Sequence, residues 1–152
     1  MNLNELNEKY QIDVKVNLTD LENEAQKSPN LHAEYVRYWT EERRVLYALL
    51  REMKVLRLEK DDFYTKGPSK EQKAKGWEYP ERGVILKTKV PVYIEADKQV
   101  MELQEKIDEA QIKVDALEKI VQQISYRQNT INLIFSMRKW EEIGRASCRE
   151  RV

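Results

Sequence analysis

Between Arg57 and Lys89 the chain interleaves cations with aromatic rings. Arg57, Lys60, Lys66, Lys70, Lys73, Lys75, Arg82, Lys87 and Lys89 alternate with Phe63, Tyr64, Trp77 and Tyr79. This mixture has a definite chemistry. Cations neutralise phosphates and release condensed counterions, while aromatic faces stack on unpaired bases without demanding a sequence. The stretch marks Arg57, Lys60, Phe63, Tyr64, Lys66, Lys70, Lys73, Lys75 and Trp77 as candidate contacts to single-stranded nucleic acid. A structural reading competes with it: lysine-rich loops are commonly just solvated, and Phe63 falls on the apolar stripe of a helix.

Other reactive groups form no constellation. The single histidine, His32, stands beside Glu34 with no nucleophile or ligand set and reads as a surface helix residue. Gly67-Pro68-Ser69-Lys70 lacks the spaced glycines and Gly-Lys-Ser/Thr ending of a phosphate loop. The pairs Glu41-Glu42 and Asp61-Asp62 lie on predicted helices without histidine ligands, so they read as solvated faces. No enzyme, cofactor or metal site is expected.

Charge is distributed in blocks. Residues 1–42 carry 4 basic and 9 acidic side chains, residues 43–89 carry 13 and 7, and residues 90–142 carry 7 and 10. A basic centre between acidic flanks points to an anionic partner. At 36% charged and 41% hydrophobic, with four glycines and four prolines, the chain has the composition of long amphipathic helices. No apolar run approaches a membrane span and Met1–Glu5 lacks a signal peptide's basic start and apolar stretch, so a soluble, intracellular protein is expected, with no membrane partner.

The elements that must carry the basic stretch follow from periodicity. Leu3 to Tyr10 reads as a short helix, Ile12–Val16 as an extended piece, and Thr19 with Glu22 as a capping box opening a short helix to Lys27. Ser28-Pro29 restarts the chain. One long helix is predicted from Pro29 to about Thr65. Its stripe is Tyr35, Trp39, Glu42, Leu46, Leu49, Met53, Leu56, Lys60 and Phe63, and Lys66-Gly67-Pro68-Ser69 ends it. Residues 66–92 form an irregular, lysine-rich region in which Gly83–Val90 could be a short strand, confined by Pro91 to an edge or loop.

A second long helix is predicted from Ile94–Asp97 to about Trp140. Its seam is Val100, Leu103, Ile107, Ala110, Val114, Leu117, Val121, Ile124, Gln128, Ile131 and Phe135, apolar at ten of eleven positions over five heptads. That is a coiled-coil or helix-bundle pattern, with Gln128 as a candidate register-setting residue. Leu133, Ile134 and Met137 broaden the seam. A homo-oligomer is expected with Val100, Leu103, Ile107, Val114, Leu117, Val121, Ile124, Ile131 and Phe135 in its core; an intramolecular hairpin with the first long helix is the alternative, and both can hold at once. The fold class is therefore mainly α. Its expected regions are an N-terminal helical and basic segment, 1–92, and a C-terminal oligomerisation helix, 93–142. Residues 143–152, which hold the only cysteine, Cys148, back-translate with ordinary codons to a sequencing-adapter read and are expected to be non-native.

Several segments resemble UvsY, the recombination mediator family of T-even-like bacteriophages. They include Leu3-Asn4-Glu5-Leu6, Asp13-Val14 before the Thr19-Asp20-Leu21 helix start, Glu24-Ala25, the Tyr35/Trp39 helix and Leu49-Leu50-Arg51. Leu86-Lys87-Thr88, Ala96–Val100 and Ser136-Met137-Arg138 follow in the same order. Leu58–Gly67 is similar to the family's basic–acidic–aromatic motif at the end of the long helix, which is tied to single-stranded DNA binding. The resemblance matches Lys60 to a DNA-contacting arginine, Asp62 to the motif's aspartate and Phe63-Tyr64 to its aromatic pair; Leu58 stands where the family has a lysine. It implies a protein without catalysis or cofactor that forms a homo-oligomeric ring, a hexamer or heptamer. Such a ring binds single-stranded DNA coated with single-strand-binding protein and helps a phage recombinase load, in the cytoplasm of the infected bacterial host. A structural coiled-coil scaffold without nucleic-acid binding is the alternative.

Overall fold

The computed structural model describes residues 1–80 and 85–151. Among these residues five helices and no strand occur: α1 (Leu3–Asp13), α2 (Leu21–Lys66), α3 (Lys70–Ala74), α4 (Val90–Glu95) and α5 (Lys98–Glu150). The mainly α fold class with two long helices is as the periodicity requires. None of the helices is long and apolar enough to cross a membrane. The chain divides by packing into two compact units, Met1–Glu41 with Lys113–Val152, and Glu42–Ile112.

In the first unit, α1 opens with Asn2, whose side chain accepts from the Glu5 backbone N–H at 2.8 Å while Glu5 accepts from the Asn2 N–H at 2.9 Å. This reciprocal cap carries α1 through Ile12 and Asp13, which the alternation had marked as extended. The apolar side of α1 drives the outcome. Leu6 is buried with Leu31, Tyr35, Leu117, Ile120 and Ile124, and Leu3 and Tyr10 pack against that cluster. Tyr35 is fully buried, and its hydroxyl donates to Asp13 at 3.0 Å. Lys9 then bridges Asp13 and Glu34 at 2.6 and 3.1 Å.

The expected helix to Lys27 and restart at Pro29 are instead one helix. The Thr19 side chain is occupied locally, donating to Asn17 at 2.6 Å, and Asp20 accepts from the Asn23 N–H to start α2 at Leu21. Proline inside a helix removes a backbone hydrogen bond and normally breaks or kinks it. Here Pro29 is carried because the preceding turn is held from the side. The Glu24 carbonyl accepts from the Ser28 hydroxyl at 3.2 Å and from the Arg127 guanidinium at 3.0 Å. Arg127 also donates to the Ser28 hydroxyl and pairs with the Glu24 carboxylate, and all three residues are buried.

Along α5 the buried stripe follows the predicted seam as far as Leu117 and then slides to Ile120, Ile124, Arg127 and Ile131. Val121 is only half-buried. Gln128, the expected polar seam residue, is half-buried and bonded locally to Asn132 at 3.1 Å. The slide brings Leu117, Ile120 and Ile124 onto Leu6 of α1 as well as Leu31 and Tyr35 of α2. The helix continues through residues 143–150.

The second unit holds the remaining parts of α2 and α5 with α3 and α4. Residues 85–90 contain no strand; Leu86–Lys89 make a turn closed by a 2.8 Å backbone bond, and Val90 begins α4 with Pro91 in its first turn. Proline fits there because a first-turn N–H has no helical acceptor to lose. The rest of the expected strand, Gly83-Val84, lies outside the described residues.

Removing one partner of a buried ion pair strands the other charge, at a cost of about 3–5 kcal/mol. Arg127→Met is expected to lose that much stability in urea unfolding. A Glu24→Gln change made on top of it is expected to cost little more.

Candidate functional site

The end of α2 and the start of α5 meet at one buried charge pair. The Lys60 ammonium lies 3.0 Å from the Asp97 carboxylate, with the two side chains 3% and 8% exposed. Asp97 has three further duties. It accepts from the Tyr64 hydroxyl at 2.6 Å, and its other oxygen accepts from the backbone N–H groups of Gln99 and Val100 at 2.9 and 3.3 Å. It is therefore the N-cap of α5 as well as the counterion of α2.

Aromatic rings close over the pair. The Lys60 ammonium stands 3.7 Å from the Trp77 ring centroid and 5.5 Å from that of Phe63, within cation–π range. Phe63 meets Tyr64, Trp77 and Tyr79 edge-on at 5.0–5.5 Å between centroids. Tyr64 stacks with Tyr79 and Tyr93. Two glycines fold the chain into this arrangement. Gly67, at φ 85°, ends α2 with its N–H on the Phe63 carbonyl, and Gly76, at φ 77°, turns the chain back after α3 so that Trp77 lands on Lys60. Ser69 and Gln72 form the capping box that starts α3 between them. Both glycines occupy the left-handed region that side chains avoid.

Burial raises the cost of charge on Asp97. The hydrogen bonds from Tyr64 and Lys60 and the nearby Lys60 charge outweigh it, holding the carboxyl below the usual carboxylate range. Burial, and then the hydrogen bond to Asp97, push the Tyr64 hydroxyl far above the ordinary phenol range.

The sequence-predicted contacts thus separate into two sets. Lys60, Phe63 and Tyr64 are buried and Trp77 half-buried, joined in one cation–aromatic core. Arg57, Lys66, Lys70, Lys73 and Lys75 are exposed around it, with Lys87 and Lys89 also exposed. Lys66 makes a 3.6 Å surface pair with Asp62, and the Lys75 ammonium lies 5.5 Å from the Trp77 centroid. Arg82 lies outside the described residues. Sequence reading missed Asp97. Its signal was an aspartate just before a helix start, opposite a lysine on a mostly apolar stripe.

The seam residues proposed for self-association are placed inside the chain. Val100, Leu103, Ile107, Val114, Leu117, Ile124 and Ile131 are buried against its own helices, Val121 partly so. Phe135 is 42% exposed, and Leu133, Met137 and Trp140, on the opposite side of the same stretch of helix, are exposed as well. Among the described residues no group of three or more His, Cys, Asp or Glu could hold a metal ion.

The fold defines a class: an all-helical protein built on two long helices, with exposed cations around a buried cation–aromatic core. The chain belongs to the UvsY family, described as recombination, repair and ssDNA binding proteins, whose model it matches over residues 9–144. Its fold is similar to crystal structures of the bacteriophage T4 recombination mediator protein UvsY. Lattice type I has a TM-score of 0.79 at 21% identity, covering 90% of this chain and 98% of that one. Lattice type II has a TM-score of 0.77 at 20% identity, covering 93% and 98%. No curated protein is significantly similar to the chain.

Asp97 contributes stability as a carboxylate. Its pKa is lower folded than unfolded, so its contribution is complete above the unfolded value of about 3.9 and is lost as pH falls through the lower folded value. Asp97→Asn is expected to cost about 3–5 kcal/mol at neutral pH by stranding Lys60. As pH falls through that lowered folded value, the variant and wild type are expected to converge in thermal midpoint.

Proposed function

We propose that this protein is a recombination mediator that binds single-stranded DNA as a homo-oligomer and helps load a recombinase onto DNA coated with single-strand-binding protein. The observation that carries the reading is a family match over most of the chain together with a rigid core ringed by exposed Arg57, Lys66, Lys70, Lys73 and Lys75. The mechanism is physical and needs no cofactor. Exposed cations take phosphates and release counterions, while the buried Lys60–Asp97 pair fixes the segment that displays them. Each protomer contributes a weak patch, and a ring of six or seven copies would turn weak patches into tight binding. Holding the strand on such a ring loosens the grip of the strand-binding protein and offers the recombinase a start site. The work takes place in the cytoplasm of the infected host.

The seam of α5 is largely consumed within the chain. Self-association would then use exposed apolar side chains toward the end of α5, with Leu133, Met137 and Trp140 on one face and Phe135 on the opposite side. These rings and alkyl chains stand exposed on one segment of a helix that the chain's own packing leaves open.

Binding to a labelled single-stranded oligonucleotide and its duplex, across a salt series, tests the reading. Single-strand preference is expected. Lys66→Ala/Lys70→Ala/Lys73→Ala is expected to lower the slope of log K against log salt by about 2, since each single-strand phosphate contact contributes about 0.7. Equal affinity for duplex, or an unchanged slope, contradicts it. Phe135→Asp/Trp140→Asp is expected to reduce the assembled mass in sedimentation while leaving helix content intact.

A further inference from the structure

The outer face of α2 carries a second cationic surface that the aromatic stretch does not include. Between Arg43 and Leu58 the inward face is set by buried Leu46 and Met53, with Leu49 and Leu56 half-buried. On the opposite side Arg44, Tyr47, Arg51, Lys54, Val55 and Leu58 recur at three- and four-residue steps, and all six are exposed. At 1.5 Å per residue they form a ridge about 21 Å long. Tyr47 is 46% exposed, Val55 57% and Leu58 67%.

The charge of this ridge is one-sided. Over residues 43–58 the chain has five cations and a single acid, Glu52. Glu52 follows Arg51 directly and so points about 100° away from it around the helix. Arg44, Arg51 and Lys54 enter no ion pair with described residues. Four cations elsewhere on the long helices are paired: Arg37 with Glu41, Lys60 with Asp97, Lys66 with Asp62 and Arg127 with Glu24. The aromatic member is held in place. Arg43 donates to the Tyr47 hydroxyl at 2.8 Å with its guanidinium 5.6 Å from the ring centroid, which fixes the ring on the ridge.

A row of unbalanced cations with one fixed ring and two alkyl chains has the composition that takes a flexible polyanion with exposed bases. Phosphates meet Arg44, Arg51 and Lys54, and a base lies against Tyr47. Rigid duplex DNA hides its base faces and would leave Tyr47, Val55 and Leu58 unused. We propose that single-stranded DNA runs along this outer face of α2, gripped by Arg44, Arg51 and Lys54 and stacked on Tyr47. The inference rests on the single-stranded-DNA reading above and extends it to residues outside the aromatic segment.

The test uses the full chain and a labelled oligothymidine across a salt series, with assembled mass and helix content measured in parallel. Arg44→Ala/Arg51→Ala/Lys54→Ala is expected to fold and assemble as wild type while its salt slope falls by about 2. Tyr47→Ala is expected to weaken binding roughly fivefold to a hundredfold, and Tyr47→Phe, which keeps the ring, to stay near wild type. Wild-type binding that is salt-sensitive, with the triple variant unchanged, overturns the α2 site and leaves the broader reading standing. No single-strand binding by wild type overturns both. A triple variant that loses assembled mass while its salt slope per protomer is unchanged makes the ridge a protein interface and overturns the proposal. Ultraviolet crosslinking of wild type to a bromodeoxyuridine strand reads the same claim without substitution. Crosslinks within residues 44–58 are expected, and their absence when crosslinks form elsewhere counts against it.

Discussion

A lysine ammonium held out of water is the constraint around which the second unit is arranged. Lys60 cannot stay charged in an apolar interior alone, because an isolated buried charge costs several kcal/mol. Asp97 supplies the counterion at 3.0 Å, and the faces of Trp77 and Phe63 supply the rest of the ammonium's surroundings. Satisfying that one group draws in the start of α5, the end of α2 and the turn after α3. The positive-φ glycines at 67 and 76 and the cap on α5 belong to the same arrangement, and hydrogen bonds from Tyr64 and Lys60 together depress the Asp97 carboxyl. The pair contributes geometric definition more than net stability, since a buried pair can often be replaced by apolar residues without loss.

The first unit repeats the device with the signs exchanged. There the acid, Glu24, is on α2 and the cation, Arg127, is on α5. In both units a buried ion pair ties α2 to α5 or its cap, in the middle of otherwise apolar contacts. Apolar seams on long helices tolerate sliding by a turn, because one leucine fits much like another. A single buried charge pair does not, and so fixes the register. Arg127 has a further effect, holding the turn that lets α2 run through Pro29 unbroken.

Much of this was legible in the sequence. The three- and four-residue steps from Tyr35 to Phe63 placed the inward face of α2 correctly, and Val100 to Leu117 did the same for α5. That stripe already contained Lys60, so the reading of Lys60 and Phe63 as open contacts conflicted with the reading of the same residues as seam. Burial resolves it in favour of the seam. What the sequence hid were effects of distant partners. Pro29 looked like a break because Arg127, 98 positions away, could not be paired with that turn from composition. The stripe on α5 slid past Leu117 because α1 joins the packing there, and Gln128 rather than Arg127 seemed the polar seam residue. Ile12 and Asp13 alternated like a strand, yet the Asn2 cap and burial of Leu6 carried the helix through them. The ridge on α2 is the complement of the inward stripe that periodicity had already placed.

The central claim is that the lysine in the middle of the aromatic motif organises the surface without touching the ligand. Lysine acetylation mapped by mass spectrometry, in free protein and in its complex with single-stranded DNA, tests it directly. Lys60 is expected to stay unreactive in both states, while Lys54, Lys66, Lys70 and Lys73 react freely and become protected on binding. Ready acetylation of Lys60 in the free protein, with protection when DNA is added, would contradict it.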